Sequence, residues 1–182
     1  ILPFNKIKKK MPSDLSVGIG AVCDTSQGGM SAFFPFNGLV DAFTVTDGVA
    51  TAMNVSLTAA YKYVIAGDNN TFTDEEMSDK KTGNTVVNQT VAFELKQINA
   101  VSGVQLTKLI QCDAQGIYKS KAGKYFWIGH ESGINVTGKA TAVSGGGVND
   151  FNGYQVELVS ENKTKAPELD ASTVTAFLAI VA

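Results

Sequence analysis

Thr85-Val86-Val87-Asn88-Gln89-Thr90-Val91-Ala92-Phe93-Glu94-Leu95-Lys96 is the stretch that settles the fold class. Thr85, Val87, Gln89, Val91, Phe93 and Leu95 fall on one face of an extended chain, and Val86, Asn88, Thr90, Ala92, Glu94 and Lys96 on the other. This period of two, with one largely apolar face, marks a strand that packs one side on a core. The other side meets water or a polar partner.

The same short period recurs on both sides of this strand. Towards the N-terminus, residues 61–66 read as a strand, and 41–45 and 49–57 flank Thr46-Asp47-Gly48. Asp-Gly between two such runs is a strong hairpin signal. Residues 30–36 form a brief apolar run that stops at Pro35-Phe36-Asn37-Gly38, and 15–23 read as an edge or glycine-kinked strand. Towards the C-terminus, 117–120 and 124–129 flank the turn Lys121-Ala122-Gly123. Residues 134–142 alternate, and Tyr154, Val156 and Leu158 alternate with Gln155 and Glu157. Residues 174–181 are apolar on both faces, which predicts a strand covered on two sides.

Two segments break the pattern. In 98–112, Ile98, Val101, Val104, Leu106, Leu109 and Ile110 recur at spacings of mostly three to four behind a capping Asn99, which predicts a helix. Residues 67–83 gather Asp68, Asp74, Glu75, Glu76, Asp79, Lys80 and Lys81 around Phe72 and Met77, and read as a long charged loop or hairpin tip. The cluster lacks the ligand spacing of an EF-hand, so no calcium site is assigned. The expected fold is mainly β: an antiparallel β-sandwich or barrel of about nine or ten strands with one flanking α-helix. A basic arm or leader, residues 1–14, precedes a single domain over 15–182.

The composition agrees. The chain has 182 residues, 44% of them hydrophobic and 18% charged, enough to build a core and too few charges for a disordered chain. No run approaches the ~18 apolar residues of a spanning helix, so no membrane role is expected. All 15 cations are lysine; with no arginine, a dedicated nucleic-acid reader is disfavoured. Residues 1–10 carry four lysines and no acid, which leaves 11 lysines against 17 acids in the rest, a net of −6.

Signals of chemistry are missing. Cys23 and Cys112 lack metal-site spacing and read as reduced, buried thiols, and a single histidine, His130, cannot complete a zinc set. No serine sits in a G-x-S-x-G elbow, and Gly145-Gly146-Gly147 precedes a strand, where no helix N-terminus could hold phosphate. His130, in Gly129-His130-Glu131-Ser132-Gly133, reads as a turn residue. Tyr125, Phe126 and Trp127 could stack on sugars or bases, although a strand sends at least one of them inward. No catalytic residue, cofactor or metal ligand is assigned.

A set of ordered motifs carries a family likeness: Cys23-Asp24-Thr25 with Gly28-Gly29, Phe72-Thr73-Asp74-Glu75-Glu76, Gly83-Asn84-Thr85 and Gln89-Thr90-Val91. It continues with 123–129, 132–137, Asn152-Gly153-Tyr154 and Ala166-Pro167-Glu168-Leu169. Over roughly residues 15–170 the chain resembles structural proteins of tailed phages that infect Bacteroidota, most of all the major tail-tube proteins. The resemblance implies a virion protein, made in the bacterial cytoplasm, whose hexameric rings stack into a tail tube. Its partners would be its own copies and other virion proteins, with genomic DNA passing through and no sequence-specific binding. It implies no enzyme activity.

On that reading, 61–66 and 85–96 line the inside of a ring and 67–83 reaches the next one. The arm 1–10 and the tail after Pro167 touch neighbouring subunits. The residues expected in self-assembly are Lys8, Lys9, Lys10, Phe72, Asp74, Glu75, Glu76, Lys80, Lys81, Thr85, Asn88, Thr90, Glu94 and Pro167. A capsid auxiliary or head–tail joining protein is the alternative within virions. A secreted β-sandwich adhesin or carbohydrate-binding module is the alternative of another class.

Overall fold

A computed structural model describes residues 28–38, 41–65, 69–79 and 81–182. In chain order its elements are β1 (Met30–Asn37), β2 (Phe43–Thr46), β3 (Val49–Met53), β4 (Tyr63–Val64), β5 (Thr71–Asp79), β6 (Asn84–Lys96) and α1 (Ala100–Gln111). There follow β7 (Ala114–Ser120), β8 (Tyr125–Ile128), β9 (Thr137–Ser144), β10 (Asn152–Asn162), β11 (Glu168–Leu169) and α2 (Ala171–Leu178). The strands form a seven-stranded sheet, in the order β2-β3-β11-β8-β7-β1-β4, and a four-stranded sheet, β5-β6-β10-β9. Neither closes on itself, so the mainly-β fold is sandwich-like.

Hairpins form where turn chemistry dictates. Asp47 and Gly48 both take positive φ, 52° and 79°, which the tight β2–β3 turn requires. Gly123, at φ 86°, closes β7 onto β8. Asn99 caps α1 by accepting the Ser102 N–H at 2.7 Å.

The inner face of the small sheet packs on one face of the large one. Val91 and Phe93 of β6 and Val156 and Leu158 of β10 meet Met30, Phe33, Tyr118 and Ile128, and Leu106 and Leu109 of α1 enter the same core. The opposite face of the large sheet holds a second cluster of Phe34, Phe36, Phe43, Trp127 and Leu169, closed by Phe177 of α2. The large sheet is therefore covered on both sides, and β1 supplies each layer from alternate residues.

Several expectations need correction. Residues 171–178 are helical: Asp170 caps them by accepting the Thr173 N–H at 2.6 Å, and Thr173 and Phe177 share one buried side. A strand was expected there because Val174, Ala176 and Leu178 make the other side apolar too. Within the charged segment 67–83, Thr71–Asp79 is strand and pairs along its whole length with β6. Its side chains are largely exposed because β5 is an edge. Among the described residues of 61–66 the strand is Tyr63–Val64, which pairs with β1 in the large sheet and so shares no sheet with β6.

Cys112 is exposed, because it follows the last turn of α1 as its C-cap. Of the apolar residues expected beneath α1, Leu106 and Leu109 are buried and Ile98, Val101 and Val104 are exposed. The basic arm, the strand expected at 15–23 and Cys23 lie outside the described residues.

Candidate assembly surface

The four-stranded sheet offers the most distinctive surface. Its outer face follows from register: Thr73, Glu75 and Met77 of β5 stand beside Thr90, Asn88 and Val86 of β6. Next come Val159, Glu161, Glu157 and Gln155 of β10, then Thr137, Lys139 and Thr141 of β9. With Asp79, Glu94 and Lys96 included, this face carries five carboxylates and two lysines. Glu94 accepts from Gln155 Nε2 at 3.2 Å, which fixes one carboxylate in place. Among the described residues, neither β5 nor β9 has a second strand neighbour, so both edges of this sheet leave backbone N–H and C=O groups unpaired.

The residues expected in assembly divide accordingly. Glu75, Asn88, Thr90 and Glu94 lie on the outer face, the last three half-buried, and Thr85 is exposed near the hairpin tip. Lys81 is in the turn, where its backbone N–H donates to Asp79 Oδ1 at 2.8 Å. Glu76 is exposed on the inner-facing side and pairs with Lys165 at 3.7 Å.

Three more of these residues are engaged within the chain itself. Phe72 points inward, its ring 4.3 Å from that of Tyr118, because it occupies the same face as Val91. Asp74 also points inward, and its Oδ2 accepts the Ala166 N–H at 2.9 Å. Pro167 is buried, and its carbonyl accepts the Trp127 N–H at 2.9 Å. The tail after Pro167 also enters the chain's own core through Leu169 and Phe177. Lys8, Lys9, Lys10 and Lys80 lie outside the described residues.

Beneath this sheet runs a buried polar seam. Gln89, wholly buried, accepts from Gly129 N–H at 3.1 Å and from Asn162 Nδ2 at 2.9 Å. Asn162 Oδ1 in turn accepts the Glu131 N–H, and Glu131 Oε2 accepts the Lys163 N–H. His130 is in the turn after β8, as expected, with Nε2 2.9 Å from Thr164 Oγ1. Burial holds its pKa below the ordinary value, against the opposing pull of Glu131 and Asp74. Burial, with the nearby carboxylates of Asp74 and Glu168, raises the Tyr118 phenol well above its usual range. These bonds fasten the β8–β9 turn and the chain after β10 to the small sheet.

The Thr164 hydroxyl and the Glu131 carboxylate both approach His130 at Nε2, at 2.9 and 3.7 Å, and Nδ1 is buried without a partner, so no acid orients the ring from its other nitrogen. Among the described residues no group of three or more His, Cys, Asp and Glu side chains is placed to hold a metal ion. No helix among them is long and apolar enough to cross a membrane. Tyr125 and Trp127 are buried, with Trp127 against Phe43, and so provide no aromatic platform for sugars.

Sequence reasoning found the outer face of β6. It missed the contributions of Gln155, Glu157, Glu161 and Lys139, although the 154–158 alternation already placed two of them on one side. Comparison of the chain with protein-family models, curated proteins and solved structures finds no match in any of the three.

Proposed function

We propose that this chain is a virion structural protein that joins head to tail, through β9 of one copy and β5 of the next, into rings that stack as a phage tail tube. The observation that carries the reading is the form of the small sheet: four antiparallel strands with both edges open among the described residues. In an alternating sheet with an even number of strands, the two edges run in opposite directions. Adding a copy to either edge therefore continues the antiparallel alternation without a break. Such a contact is heterologous and closes when its rotation divides the circle.

Size and charge support the same reading. Six copies, the number implied by the resemblance, would place strands ~4.8 Å apart at a tilt of ~40° around a cylinder about 48 Å across. That leaves room for a DNA duplex after side chains are counted. The acidic outer face would then line the channel and repel phosphate, letting DNA slide past. The chain carries no arginine that could grip it.

Electron microscopy of the purified protein tests the proposal. Hollow stacks of rings are expected. A monomer that persists at high concentration would overturn it, and placement on an icosahedral shell would favour the capsid auxiliary.

A further inference from the structure

Register sets one row across the large sheet: Tyr125 of β8 beside Lys119 of β7, Lys119 beside Ala32 of β1, and Ala32 beside Val64 of β4. The row lies on the α2 side of the sheet, where Ala32 and Tyr125 join the second core cluster. A small residue among three long ones leaves a hollow. Phe34 of β1 and Leu178 of α2 wall it, and Lys62, just before β4, completes the rim. The cleft measures about 440 Å³, within the ~300–1,000 Å³ of sites for small ligands. Its floor is apolar, with Ala32 and Phe34 buried, while Val64 and Leu178 stay 70% and 42% exposed at the mouth. Its rim carries two ammonium groups and, among the described residues that line it, no carboxylate. Lys119 is half-buried and holds its Nζ 5.4 Å from the centroid of the Tyr125 ring. Lys124 and Lys165 pair with Glu168 and Glu76, whereas neither Lys119 nor Lys62 has a carboxylate partner among the described residues. The Lys62 N–H donates to the Ala182 carbonyl at 3.2 Å, which fixes that side of the rim.

We propose that this cleft binds a small amphiphilic anion, a carboxylate on an aliphatic tail. The head sits between Lys119 and Lys62, and the tail lies over Ala32 and Phe34 against the Tyr125 ring. Covering Val64 and Leu178 removes apolar surface from water, which supplies the driving force. The head meets two cations that no carboxylate of the chain neutralises, one of them already deprived of part of its water, where attraction exceeds that on an open surface. Lysines are point charges without the planar fork of arginine, so they select for charge more than for head-group shape. A cleft of this volume admits one chain and no bilayer surface, so the ligand is a free molecule. The cleft lies on the side of the large sheet away from the small sheet, so its occupation does not depend on assembly.

Calorimetric titration with sodium octanoate tests it. Saturable binding of one octanoate per chain is expected, with 1-octanol bound roughly tenfold more weakly or worse, and acetate without effect. Val64→Glu places a carboxylate at an exposed position of the mouth and should weaken octanoate about tenfold or more; Lys62→Gln combined with Lys119→Gln should do the same. Lys119→Arg keeps the charge and should keep the binding. Circular dichroism checks that each variant is folded; where the double variant unfolds, Val64→Glu decides alone. Uptake that does not saturate, octanol bound as tightly as octanoate, or binding unchanged by Val64→Glu overturns the site. Binding to phosphatidylglycerol vesicles without binding of octanoate overturns it too, and would make the patch a membrane-surface contact.

Discussion

Phe177→Ala is the substitution whose outcome is best fixed by the structure. The ring is wholly buried and lies 5.7 Å from Phe34, 6.5 Å from Phe36 and 6.3 Å from Phe43, centroid to centroid. Removing such a ring costs the transfer of its carbons and leaves a cavity, together about 3–5 kcal/mol. For a domain of this size that lowers the melting temperature by roughly 6–20 °C. Thr175 provides the internal control. In the helix its hydroxyl donates to the Ala171 carbonyl at 2.9 Å and the residue is exposed, so Thr175→Ala should cost no more than about 0.5 kcal/mol. Were the segment a strand, Thr173, Thr175 and Phe177 would share one buried face, and both substitutions would be severe. Urea unfolding of the two variants, followed by circular dichroism and tryptophan fluorescence, separates the cases. A Phe177→Ala penalty under about 1 kcal/mol, or a Thr175→Ala penalty to match it, would show that α2 does not close this core.

Three further outcomes follow from local geometry. Gly116→Ala would put a Cβ 2.6 Å from two ring carbons of Phe33, so the core must shift, at about 1–3 kcal/mol by thermal melting. Asn99→Ala removes the cap of α1 and should cost about 1 kcal/mol, read from urea midpoints. His130 has a folded-state pKa below its unfolded value near 6.5, so the stability tied to its neutral form is complete above about pH 6.5 and is lost as pH falls through the lower value. His130→Gln should therefore flatten the decline in urea midpoint between about pH 7.5 and 5; an unchanged slope would exclude the imidazole as its source.

How far the fold could be read depended on whether a local pattern had one physical meaning. The Asp47-Gly48 turn was legible because both residues adopt positive φ, which few other pairs tolerate. β6 was legible because its inner side chains are buried and its outer ones are polar or small. α2 was obscured because eight residues with apolar side chains on both sides satisfy a buried strand as well as a short helix; the Asp170-x-x-Thr173 cap was the signal that could have decided it. β5 was obscured because an edge strand beyond the core has little to bury: only its Phe72 packs on the core, and the rest reads as loop. The outer face was partly legible from β6 alone. Its continuation depended on a register that pairs β6 with β10 across more than 50 positions of sequence, from which β9 follows through its hairpin with β10.

The two apolar clusters, one on each side of the large sheet, bear on how this protein can change over time. Alternate side chains of β1 serve opposite cores, so the backbone of that sheet acts as a partition. A repacking behind it, around Phe34, Phe43 and Phe177, shares few neighbours with Val91, Phe93 or Leu158 in front, and such separated effects add with little coupling. The rear of the subunit can therefore drift, or accept new loops, while the geometry of the four-stranded sheet stays fixed.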